Sequence, residues 1–186
     1  PIMVDAEESD RLEPHMDMCE GVVAARLTND WTGYGIVIQA YQKRAPAHVQ
    51  WLYDLAQRAQ VKLAMRLVKG AYWDSEIKRG QVQGLDHFPV FTAKNNTDLC
   101  YMWCAQMLRS MTDHLYPCFA THNAMTVAYV ARLFGNAPDH DLQRLDGMGE
   151  GAHDALAALQ PHGRPVRIYA PVGTHRDLLA YLVRRL

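Results

Sequence analysis

The sequence predicts an α/β fold of the (β/α)8 barrel type, and three observations carry that prediction. Short apolar runs recur, each ending in polar or glycine residues; helical patterns alternate with them; and no glycine-rich nucleotide turn follows any run, which disfavours a doubly wound nucleotide-binding sheet. At 186 residues the chain is the size of a single domain, so residues 1–186 are read as one unit.

The elements follow in order. "IMVDAEE" (2 to 8), "GIVIQAY" (35 to 41), "KLAMRLVKG" (62 to 70), "YPCFATHN" (116 to 123), "LQRLDGMG" (142 to 149) and "VRIYAPVG" (166 to 173) read as parallel strands, apolar on both faces. Helical spacing links Val49, Leu52, Tyr53, Leu55, Ala56 and Ala59, then Leu99, Met102, Trp103, Met107 and Leu108, then Val127, Val130, Ala131 and Phe134. Thr174 with Asp177 forms a capping-box start, and Leu178, Leu179, Leu182, Val183 and Leu186 supply the stripe of a last helix. The connection after the third strand is about twice the length of the others, and it opens with "GAYWDSEIKRG". These are six β/α units, two short of a closed barrel. "PIMVDAEE" opens directly on a strand and "LLAYLVRRL" stops inside a helix without a cap, so the chain is expected to be a fragment of a longer one.

Composition narrows the function classes. A chain that is 49% hydrophobic and 21% charged, with a net charge of −1, is ordinary for a globular domain and lacks the basic excess of a nucleic-acid binder. The four cysteines (Cys19, Cys100, Cys104, Cys118) form no CxxC and read as structural thiols of a reducing compartment. Charges interrupt every apolar stretch before the roughly 18 residues of a membrane span, and no signal peptide is legible, so a cytosolic or membrane-surface protein is expected.

In a barrel the carboxyl ends of the strands carry the site. The polar residues there are Asp5, Gln39, Arg66, Lys69, Thr121, His122, Asn123, Asp146, Glu150 and Tyr169. Arg66, flanked by apolar residues, must meet an anion or an acceptor-rich surface; a structural salt bridge to Asp5 is the plain alternative. Lys69 has the chemistry of a Schiff-base lysine but sits after its strand ends, where the turn alone accounts for it. His122 with Asp5 and Asp146 would suit a metal-dependent barrel hydrolase, but a lone histidine so placed is better read as a hydrogen-bonding one. Tyr181, Arg184 and Arg185 share a face of the last helix; paired arginines bind carboxylates, and a basic helix end is equally ordinary. A degenerate barrel serving as a scaffold is the third reading.

"VIQAYQKR", "LVKGAYWDSEIKRGQV", "FATHNA", "GMGE", "RIYAPVGTH" and "LLAYLVRRL", in that order, resemble the proline dehydrogenase domain of the bacterial bifunctional flavoenzymes termed proline utilization A. The similarity runs over essentially the whole chain. It implies a barrel entered at strand three and left within helix eight, FAD at the carboxyl ends of the strands, and oxidation of L-proline to Δ1-pyrroline-5-carboxylate by hydride transfer to flavin N5, the hydride being assigned to the substrate Cα. Electrons would pass to a membrane quinone, in the first step of proline catabolism to glutamate.

The residue roles are likewise what the resemblance implies. Arg66 is the cation beside flavin N5, and Gln39 binds the isoalloxazine edge. Ala6, Val68, Gly70, Ala71 and Trp73 line the cofactor, with Lys94, Thr121, His122 and Asn123 toward its phosphates, ribityl and adenine. Asp5 anchors the substrate network and, with Arg66, counts as catalytic. Tyr72 and Tyr169 wall the proline ring, while Arg184 and Arg185 clamp its carboxylate. No metal is implied.

The resemblance further implies a downstream aldehyde dehydrogenase domain, admits a homodimer, routes no nucleic acid through this domain, and places the enzyme in the cytoplasm against the inner face of the bacterial inner membrane. The chain departs from the family pattern at Ala93, where an arginine is usual, and at Arg144 and Asp146, which replace a smaller residue and a histidine beside Gln143. The family's substrate lysine on the preceding strand and the glutamate three beyond Arg185 have no counterpart in these 186 residues.

Overall fold

The computed structural model describes residues 2–26, 33–159 and 166–183. Six strands, β1 (Ile2–Val4), β2 (Tyr34–Gln39), β3 (Leu63–Val68), β4 (Leu115–Ala120), β5 (Asp141–Leu145) and β6 (Arg167–Tyr169), form one sheet in sequential order. Every neighbouring pair is parallel. Parallel neighbours in chain order need a crossover on one side each time, and repeated right-handed crossovers curl the sheet toward a barrel. Helices α1 (Leu12–Arg26), α2 (Ala45–Ala59), α5 (Ala124–Phe134), α6 (Glu150–Leu159) and α7 (His175–Val183) serve single units. The long β3 to β4 connection holds two, α3 (Trp73–Val82) and α4 (Lys94–Arg109). All six predicted strands are present as β/α units of barrel type.

β2 is buried along its whole length, as a strand covered on both faces must be. β3 alternates: Leu63, Met65 and Leu67 are buried and join the core formed with α2 and α4, while Ala64, Arg66 and Val68 take the other face. That period of two is what aims the Arg66 guanidinium inward instead of into the helices. α5 buries Val127, Val130, Ala131 and Phe134 as its pattern predicts, with Phe134 against Phe119 of β4 at 4.9 Å between ring centroids.

α4 differs from its predicted stripe. Leu99 and Trp103 are 67% and 59% exposed, and the inward face is Cys100, Tyr101, Cys104, Ala105 and Leu108. Leu108 of the predicted stripe is buried, but the rest of that face is displaced by about one residue, with Tyr101 and Leu108 as its large side chains, and the helix packs against α2 and α5. The four cysteines are free and buried. Burial, the largest influence, pushes the Cys118 thiol up to about 12, so it remains a thiol packed in the core. No helix among the described residues is long and apolar enough to cross a membrane.

Candidate functional site

A cavity of about 790 Å³ opens at the carboxyl ends of the strands, within the range of ligand pockets. Asp5, Ala6 and Glu7 enter it after β1, Gln39 from the end of β2, and Arg66 and Val68 from β3. The turn beyond β3 adds Lys69, Gly70, Ala71 and Tyr72, and α4 adds Lys94 from its first position. Thr121, His122 and Asn123 follow β4, Tyr169 ends β6, and Tyr181 projects from α7.

Thirteen sequence-predicted site residues thus share one wall: Asp5, Ala6, Gln39, Arg66, Val68, Gly70, Ala71, Tyr72, Lys94, Thr121, His122, Asn123 and Tyr169. Trp73 is not among the lining residues; it starts α3, and its indole N–H donates to the Phe91 carbonyl at 2.8 Å. Arg184 and Arg185 lie outside the described residues.

Arg66 is held from three sides. Its Nε donates to Gln143 Oε1 at 2.9 Å, its Nη1 to Asp5 Oδ1 at 3.1 Å, and the guanidinium stands 5.1 Å from the Tyr169 ring centroid. Its side chain is only 17% exposed while Asp5 is 69% exposed, so the charge is half withdrawn from water but its partner is not. Such a pair contributes little to stability and much to orientation. The expected salt bridge to Asp5 exists, and it belongs to the cavity rather than replacing it.

Gln39 supplies the sharpest sign of a ligand. Its amide nitrogen donates to the carbonyls of Ala6 and Glu7 at 2.8 and 3.0 Å, while its Oε1 is buried without a hydrogen-bond partner. A buried orphan acceptor costs about 1 to 3 kcal/mol unless a donor reaches it. The imide N–H of a flavin ring is a donor of that kind, so the residues present fit the group.

The far end of the cavity is built for anions. Asn123 caps α5, its Oδ1 accepting from Thr126 N and Oγ1 at 3.0 and 3.1 Å, so the positive pole of the helix opens beside Thr121 and His122. Lys69 and Lys94 both bind Asp98, the latter at 2.7 Å. Burial pushes the Asp98 carboxyl up, but the hydrogen bonds and charges of the two lysines together outweigh it and hold it below the ordinary carboxylate range. The Lys69 ammonium is therefore engaged in an ion pair, not free for carbonyl chemistry.

His122 Nε2 accepts the Leu145 backbone N–H at 2.9 Å, the hydrogen-bonding role preferred above. Gly149, at φ +69°, lies so close that a Cβ there would stand 3.1 Å from the His122 ring. Among the described residues no three His, Cys, Asp or Glu side chains are grouped as metal ligands, and Asp146 is not part of the cavity wall, so the hydrolase reading has no ligand set.

Four partners escaped the sequence reading. Glu7 accepts the Tyr72 hydroxyl at 3.0 Å, and Asp98 and Gln143 act behind the lining. Glu76, 2% exposed, accepts both the Ser9 N–H and the Ser9 hydroxyl at 2.6 Å. Gln143 sits mid-strand between Leu142 and Arg144, where nothing in the local pattern marks its role. At the substituted position 144, the arginine donates to its neighbour Leu145's carbonyl at 3.3 Å and pairs with Glu150 at 3.5 Å. It stays out of the cavity wall.

The family model described as "Proline dehydrogenase" matches residues 1–186. The bifunctional protein PutA of Escherichia coli strain K12 is 50% identical over 191 residues, which covers 100% of this chain and 14% of that protein. The PutA of Rhizobium meliloti is 47% identical over 98% of this chain and 15% of its own length. A crystal structure of Bradyrhizobium japonicum Proline Utilization A superposes with a TM-score of 0.93 at 51% identity, covering 98% of this chain and 19% of that one. The chain spans about one seventh of the length of these two PutA proteins.

Proposed function

Since the chain belongs to the proline dehydrogenase family, we propose that its cavity binds FAD and L-proline and supports oxidation of proline to Δ1-pyrroline-5-carboxylate in proline catabolism. The observation that carries this reading is the pairing of an inward, triply restrained cation, Arg66, with the buried orphan acceptor of Gln39 in one cavity.

FAD when bound would supply the hydride acceptor, and the residues of this chain would hold and orient it and the substrate. Arg66, fixed by Gln143 and Asp5, presents a positive charge that needs no reorganisation when negative charge develops beside it. Gln39 Oε1 takes a ring N–H. The capped start of α5, with Thr121, His122 and Lys94, receives the phosphates, and Ala6, Val68, Gly70 and Ala71 let the cofactor approach the backbone closely. At Gly70 only glycine serves: φ is +132°, and an added Cβ would stand 2.5 Å from the Tyr41 ring.

Tyr169 and Tyr72 form the aromatic walls for the proline ring, Tyr72 steadied by Glu7. Arg184 and Arg185, three and four positions after Tyr181 in the sequence, are assigned to clamp the carboxylate. The named product corrects one atom of the sequence reading. Its C=N bond joins the nitrogen to the ring methylene remote from the carboxylate, so the hydride leaves Cδ rather than Cα while the nitrogen gives up its proton. A clamp on the carboxylate then holds the reacting carbon at the opposite side of the ring. Passage of electrons to a membrane quinone, and an aldehyde dehydrogenase partner domain in the same polypeptide, complete the reading; relatives several times longer than this chain support a multidomain setting.

The test uses the full-length polypeptide that carries this chain. Purified protein is expected to show a flavin spectrum that L-proline bleaches under anaerobic conditions, with the Arg66→Met variant bleaching more than tenfold more slowly. A colourless protein, or a flavin that proline leaves oxidised, overturns the proposal.

A further inference from the structure

The segment between β1 and α1, residues 5–11, crosses the cavity mouth as a strap. Everything it offers the cavity is held from elsewhere: Asp5 meets Arg66 of β3, the Ala6 and Glu7 carbonyls accept from Gln39 of β2, and the Glu7 carboxylate accepts from Tyr72. Beyond it stands a device that the substrate and cofactor roles leave without a purpose. Glu76, one turn after Tyr72 in α3, is a carboxylate 2% exposed and is not among the cavity-lining residues. Burying a carboxylate is costly unless strong donors meet it. Here they come from a single residue, Ser9, whose N–H reaches Oε1 and whose hydroxyl reaches Oε2, both at 2.6 Å. Arg44 completes the grip by donating to the Ser9 carbonyl at 2.6 Å, and Arg79 pairs with Asp10 at 2.7 Å.

We propose that Glu76 is a positioning residue, which clamps the strap through Ser9 and so fixes Asp5 against Arg66 and Glu7 against Tyr72. Such a clamp adds to the ties from Gln39 and Arg44 the one buried carboxylate among the described residues that grips the strap. Asp5 is exposed and its ion pair with Arg66 is too weak to hold a strap by itself. A buried, charge-assisted double hydrogen bond to the first turn of the short helix at Ser9–Arg11 is the strongest tether the strap has. Because Glu76 and Tyr72 share α3 and its N-cap, strap and substrate wall move as one body. The clamp acts through Asp5 and Glu7, touching neither substrate nor cofactor.

This inference rests on the proline oxidation reading, and its test separates the two. In the full-length flavoprotein, Ser9→Ala and Glu76→Gln are compared with the unmodified enzyme at matched flavin content. Ser9→Ala deletes one bond of the clamp and leaves the core untouched. Glu76→Gln keeps one acceptor and a donor that the Ser9 hydroxyl can accept, so it serves as partial rescue. Expected for Ser9→Ala is a rise of about tenfold in KM for proline with kcat per flavin changed less than threefold, and for Glu76→Gln a smaller rise. Amide hydrogen exchange across residues 5–11 is expected to speed up in Ser9→Ala while β2 and β4 stay protected. Unchanged KM at matched flavin, or unchanged exchange in the strap, overturns the clamp. If the unmodified protein neither binds flavin nor oxidises proline, the functional reading fails, and the exchange measurement still decides whether Glu76 holds the strap.

Discussion

The physical character of the cavity rests on a few single residues whose backbone or partners allow no substitute. Gly70 is the clearest. Its φ of +132° lies where a Cβ is strained, and Tyr41 fills the space a methyl would take. Gly70→Ala is expected to cost at least about 2 kcal/mol in urea unfolding and to shift the turn that carries Ala71 and Tyr72; a midpoint unchanged from the parent would refute the close packing. Arg66 was legible because a strand cannot leave a guanidinium unpartnered. Gln143 and Glu76 were not, since a lone glutamine in a strand or a glutamate in a charged helix looks the same whether its partner is a neighbour or water. Their partners lie 77 and 67 residues away, a relation no local pattern encodes.

At the scale of the element, periodicity gives existence better than orientation. Strand starts in the structure fall within one residue of those expected, because each strand is fixed by an apolar run with a hard polar end. α4 shows the limit. Leu99 and Trp103 outweigh Cys100, Cys104 and Ala105 in hydrophobicity, yet the latter are buried, beside Tyr101 and Leu108, because the face that fits the neighbouring elements is chosen by shape as well as by hydrophobicity. Leu99→Lys is therefore expected to change unfolding free energy by less than about 0.5 kcal/mol, as an exposed position does. Ala105→Leu, which forces three extra carbons into a fully buried site, is expected to cost about 1 to 3 kcal/mol. Equal effects from the two, by chemical denaturation, would restore the original stripe.

At the scale of the whole molecule, the sheet order and the cavity at its carboxyl edge follow from topology, and both were readable from the alternation of strand and helix. Acid stability belongs to this scale too. His48 of α2 is buried; burial first, then the neighbouring charges of His15 and Arg44, lower its pKa from 6.5 to about 3. A histidine depressed in the fold takes up a proton more readily when unfolded, so its contribution is complete above about pH 6.5 and drains away as the pH falls toward 3. Unfolding free energy is expected to drop across that window with a slope that His48→Gln reduces by up to one proton, about 1.4 kcal/mol per pH unit. Parallel pH profiles for the two proteins would exclude His48 as the source.

The strap and its clamp also set an order of events during synthesis. Ser9 precedes Glu76 by 67 residues, which at about 5 to 20 residues per second is roughly 3 to 13 seconds of translation. During that interval the partners available to the segment bearing Asp5 are β2, Gln39 and Arg44, which are translated before Glu76. The clamp on this rim can therefore close before β3 finds β4, whose first paired residue is Leu115, so a pause just after α3 would leave the rim fastened beside a sheet still missing half its strands.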